Sequence, residues 1–83
     1  MCPGGSMDQS VVTGLCKKTR QALYRLAVLA EMLSGDDRGA LVLANMREIR
    51  QIPAWRRLAV ERALLDDPAG LRVVLQKTRR YPR

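Results

Sequence analysis

Two pairs of adjacent carboxylates, Asp36-Asp37 and Asp66-Asp67, and two cysteines, Cys2 and Cys16, are the side chains of this sequence best suited to chemistry. Paired acids serve hydrolysis or metal binding when a cleft holds them at a defined separation. Each pair here stands just before an apolar run, where a carboxylate accepts hydrogen bonds from free backbone amides and complements the helix dipole. The cysteines lack CxxC or metal-ligand spacing and do not form a disulfide framework, and Cys16 falls on an apolar seam where a buried thiol is expected. Histidine is absent, which removes the commonest general base and every Ser-His-Asp or Cys-His arrangement. No further Cys or His exists to complete a tetrahedral metal shell, and no glycine-rich phosphate loop is present. The sequence therefore predicts a binding protein with no catalytic residue, metal, cofactor or small-molecule substrate.

Binding is better provided for. Lys77-Thr-Arg-Arg-Tyr-Pro-Arg83 carries four cations and no acid, so Lys77, Arg79, Arg80 and Arg83 could grip phosphate while Tyr81 stacks on a base. The bland alternative is a solvated terminus whose cations suit a helix C-terminal dipole. Ile52-Pro53-Ala54-Trp55-Arg56-Arg57 sits between two helical patterns. It admits a helix-turn-helix with Arg56 and Arg57 in the first turn of a reading helix. That helix is too apolar to lie exposed in a groove, and Trp55 fits better as a core or interface anchor.

These residues need elements to position them. Val12, Cys16, Thr19, Leu23, Leu26, Ala30 and Leu33 recur at four and three residues, a heptad seam widened by Leu15, Ala22 and Leu29. The seam predicts a first helix over 8–33, capped by Asp8 or Ser10 and closed by Ser34-Gly35, with Gly14 an awkward residue inside it. A second helix is expected over 37–51, ended by Ile52-Pro53 because proline disfavours a helical predecessor. A third is expected over 53–65 and a fourth over 68–80, each opening on a proline. Val73-Val74 is β-prone, but no partner strand is apparent. Residues 1–7 read as a leader outside the fold, 8–80 as the helical domain and 81–83 as the end of the basic tail.

The fold class expected is all-α, a compact bundle of about four short helices completed by homodimerisation. Eighty-three residues are few for a self-sufficient core, and without Phe the core must be built from Leu, Val, Ile, Ala and Met. Leu23, Leu26, Leu29, Trp55 and Leu58 are the expected interface anchors, with Arg25, Arg56 and Arg57 in the charged rim. The net charge of +7 favours an anionic partner or a solvated surface. No apolar run approaches the ~20 residues needed to span a membrane, and no signal peptide is visible. With the sparse cysteines, this leads us to expect a reducing, cytoplasmic setting.

Leu23-Tyr24-Arg25 resembles the signature of the LYR-motif proteins, small basic helical bundles that act as mitochondrial assembly factors through acyl carrier protein. Size, charge and helical class agree with that resemblance. It covers three residues, and the phenylalanine typical of the family downstream is missing, so the chain is not assigned to it. The leading expectation is a non-catalytic regulatory or adaptor protein working by helix-mediated contact with another protein or itself; the alternative is nucleic-acid binding through the basic surface.

Overall fold

The structure, a computed structural model, describes residues 11–79, and among these the regular elements are all helical. They are α1 (Lys17–Glu31), α2 (Asp36–Ala44), α3 (Met46–Ile49), α4 (Ala54–Asp66) and α5 (Pro68–Arg79). The Val73-Val74 segment is helical, as part of α5.

The four expected helices become five because the second is broken at Asn45. Its side-chain Nδ2 donates to the Leu41 carbonyl at 2.8 Å, and its backbone leaves the helical region at φ −119°, ψ 26°. An asparagine that bonds back to the preceding turn competes with the helical ladder in this way. The first helix is shorter than its seam. Gly14 adopts φ 88°, a left-handed value that glycine takes cheaply, so Val12 is buried from a turn and the helix begins only at Lys17. The expected caps Asp8 and Ser10 lie outside the described residues. At the other end α1 stops at Glu31, and Gly35, expected to close it, instead stands immediately before α2 with φ 59°. Pro53 likewise precedes α4 rather than opening it, while Pro68 is the first residue of α5 as expected.

The two acid pairs lie at helix starts, with different roles. Asp67 accepts a hydrogen bond from the Gly70 amide at 3.1 Å, a side-chain cap on α5. Asp36 and Asp37 occupy the first turn of α2 without a side-chain cap bond, so they complement its dipole only.

Side-chain contacts fix the direction of each helix. Arg72 pairs with Glu31, and Gln76 donates to the Tyr24 hydroxyl at 3.2 Å, so α5 runs antiparallel to α1. Arg56 near the start of α4 donates to the Thr13 carbonyl. Arg38 on α2 donates to Ala30 and Leu33 at the end of α1 and to Leu65 at the end of α4. Helices α1 and α4 therefore run the same way, and α2–α3 returns between them. The core is aliphatic: Leu23, Leu26 and Ala30 of α1 meet Ile49, Ile52, Val60, Leu64, Leu71 and Leu75. The α1 seam is thus used largely inside its own chain.

Candidate interaction surfaces

The fold separates charge along its length. The loop after α1 and the junction of α4 with α5 gather Glu31, Asp36, Asp37, Asp66 and Asp67 at one end, where Arg38 and Arg72 offset two of the five acids and leave the end net acidic. The start of α1 with Lys17, Lys18 and Arg20, the α3–α4 junction with Arg50, Arg56 and Arg57, and the last turns of α5 with Lys77 lie toward the other. The 15 residues of α1 put these ends on the order of 20 Å apart at 1.5 Å rise per residue. Antiparallel packing of α1 on α5 makes one basic region from cations that are distant in sequence. An open groove of about 840 Å³ runs from it along α1, lined by Lys17, Arg20, Tyr24, Arg25, Leu29 and also Leu75.

The second surface is the outward side of α4. Val60, Ala63 and Leu64 bury one side of this helix, whereas Trp55 is 67%, Leu58 74% and Leu65 40% exposed on the other. Trp55, Leu58, Arg62 and Leu65 are spaced three, four and three, which places them along a single stripe. A shallow hollow of about 350 Å³ between Leu58, Glu61, Arg62, Leu65 and Asp66 lies on that stripe. Leu43 of α2, which packs beside α4, is exposed as well.

The expected site residues divide accordingly. Leu23 and Leu26 are buried in the core of the chain; Leu29, Trp55 and Leu58 are exposed, and so is Arg25. Trp55 is no core anchor: it stands in solvent with the Arg56 guanidinium 4.7 Å from its ring centroid. Arg56 and Arg57, expected at a rim or a reading helix, are half-buried fasteners. Arg56 bonds to Thr13, and Arg57 donates to the carbonyls of Arg50 and Ile52, both at 3.3 Å. The Nε atom of each is buried without a partner, a cost that accompanies these tethers. Lys77 is exposed near the end of α5 and Arg79 is its last residue. Arg80, Tyr81 and Arg83 lie outside the described residues.

Cys16 corrects another expectation. Its thiol is exposed and free, since Cys16 immediately precedes α1 rather than lying within the seam. The Thr19 hydroxyl, 3.2 Å away, lowers the Cys16 pKa, helped by the Thr19 amide and by Lys18. Sequence reasoning does not single out Leu65, Lys17, Lys18 or Arg20 as site residues. For Leu65 a signal exists in the heptad spacing on α4, hidden by the many other apolar residues of that helix.

Among the described residues no cluster of three His, Cys, Asp or Glu could hold a metal ion, and no helix is long and apolar enough to cross a membrane. Compared with protein-family models, curated proteins and solved structures, the chain matches none. Leu23-Tyr24-Arg25 accordingly stands as a likeness of three residues: Leu23 is buried, Tyr24 is half-buried against Gln76, and Arg25 faces solvent.

Proposed function

We propose that this chain is a non-catalytic regulatory or adaptor protein that works by helix-to-helix contact, with the outward side of α4 as its contact surface. One observation carries the reading: Trp55, Leu58 and Leu65 form an exposed apolar stripe on a helix whose other side fills the core. Single exposed apolar residues are commonplace, but an aligned stripe containing the only tryptophan of the chain has the makeup of an interface centre. The test is retention of a protein partner from native lysate by the immobilised chain. Leu58→Glu should abolish retention while leaving the helical circular dichroism and melting temperature unchanged; equal retention by both overturns the reading.

A second reading, binding of nucleic-acid phosphate, is favoured by the convergence of Lys17, Lys18 and Arg20 with the end of α5. Such a surface binds with an affinity that falls steeply as salt rises. Weak binding to a single-stranded oligonucleotide whose salt dependence flattens in a Lys17→Gln, Lys18→Gln, Lys77→Gln variant would support it. Affinity indifferent to salt would exclude it.

A further inference from the structure

We infer that the partner of the α4 stripe is a second copy of this chain, docked antiparallel across α4, an inference that rests on the proposed role of that surface. The charge separation supplies the argument. The start of α4 belongs to the basic end of the molecule, with Arg50, Lys17 and Lys18, and its finish to the acidic end, where Asp66, Asp67, Asp36 and Asp37 outnumber Arg38. Two copies related by a two-fold axis perpendicular to α4 set each basic end beside the acidic end of the other. Parallel docking would join like ends and add their repulsion to that of two chains each carrying +7.

The stripe favours the same orientation. In a helix pair held by residues at three-four spacing, antiparallel docking faces each first-type position with a second-type position of the other helix, whereas parallel docking faces like with like. Antiparallel, Trp55 of one copy meets Leu65 of the other, and Leu58 meets the aliphatic stem of Arg62, twice over by symmetry. Parallel, Arg62 meets Arg62 in the middle of the seam. The hollow beside Leu58 and Leu65 offers a seat for side chains of the second copy. One helix pair of 13 residues per copy covers less than the standard interface area. The dimer is therefore of the weak, reversible class.

Sedimentation velocity on the whole chain, from about 10 µM to about 1 mM, reads the association at affinities in this class. The expected result is a monomer–dimer equilibrium that Leu58→Glu shifts at least tenfold toward monomer without loss of helix. Orientation is read by crosslinking in a background where Cys2 and Cys16 are serine. Mixed Trp55→Cys and Leu65→Cys chains should form a disulfide-linked heterodimer, while neither alone crosslinks, because like positions sit about 15 Å apart along the axis. A chain that remains monomeric throughout, or self-crosslinking of Trp55→Cys alone, overturns the inference. Monomers that still retain a lysate partner through Leu58 would overturn self-pairing and leave the wider reading of α4 intact.

Discussion

Arg38 Nη1 donates to the Leu65 carbonyl at 2.9 Å, joining residues 27 apart in sequence. The same guanidinium donates through Nε to Ala30 and Leu33, so one side chain ties together the carbonyl-rich ends of α1 and α4. Those ends carry unsatisfied carbonyls and partial negative charge, which a planar cation with forked donors suits. Arg38→Ala should lower unfolding stability by about 1–3 kcal/mol, the scale of removing hydrogen bonds to a charged group. Urea denaturation measures it. Arg38→Lys should recover only part, since an ammonium cannot span the three acceptors in the same way. No change in either variant would mean the tether is immaterial.

Arg57 separates structural cations from available ones. Its guanidinium holds the α3–α4 turn through the carbonyls of Arg50 and Ile52. Arg57→Ala should therefore lower the melting temperature while leaving retention on heparin almost unchanged. Replacing Lys17, Lys18 and Lys77 by glutamine should do the reverse, since all three are exposed. For a single strand, each phosphate that the protein ceases to neutralise reduces the log–log salt slope by about 0.7. A heparin elution that shifts more for Arg57→Ala than for the triple lysine variant would refute this division.

Two leucines on α4 make a paired control. Leu64 is fully buried and Leu58 is 74% exposed. Leu64→Ala leaves a cavity in a core without aromatic bulk and should cost about 2–5 kcal/mol. Leu58→Ala should change monomer stability by no more than about 0.5 kcal/mol. Chemical denaturation of both, at concentrations low enough to suppress association, checks the assignment of inner and outer sides.

How far the sequence reveals this arrangement depends on the range of the interaction concerned. The all-helical class follows from apolar spacing, and the Asp67-Pro68 start of α5 follows from local cap chemistry, because both act within a turn or two. Asn45 breaks a helix through its own side chain, a local effect easily hidden beneath the continuing Val42, Met46 and Ile49 periodicity. Gly14 is visible in the sequence as a weakness, yet only its positive φ makes it the turn that shortens α1. Which apolar residues of α4 face outward is not legible, since a helix apolar round most of its circumference gives pattern reading no preferred side. The same holds for the charged ends: Lys17 and Lys77 are 60 positions apart and share a region only because α5 reverses along α1.

Trp55 reports directly on whether its stripe is covered. As the chain's single tryptophan and 67% exposed, it should emit near the wavelength of indole in water and be readily quenched by acrylamide. If a second copy covers it, emission should move to the blue and quenching should fall as concentration rises from the micromolar toward the millimolar range. Leu58→Glu should abolish that dependence. A blue-shifted, protected tryptophan in dilute solution would place Trp55 in the core and refute its exposure.

Cys16 provides a test of the local geometry at the start of α1. Its sulfur lies 3.2 Å from the Thr19 hydroxyl, and that hydrogen bond, reinforced by the Thr19 amide and Lys18, favours the thiolate and lowers the pKa. Because the thiolate is the nucleophile, the pH profile for alkylation should have its midpoint below that of an unstructured peptide cysteine. The sign carries over to stability. A folded-state pKa lowered below the unfolded value makes ionisation of this group stabilising above the unfolded pKa, and that contribution fades as pH falls through the folded pKa. Thr19→Val removes the hydroxyl, nearly conserves volume, and should move the alkylation midpoint upward toward the unstructured value. Iodoacetamide kinetics across pH, in a Cys2→Ser background so that only Cys16 reacts, measure both midpoints. Coincident midpoints in the parent and the Thr19→Val chain would show that the hydroxyl does not reach the sulfur in solution.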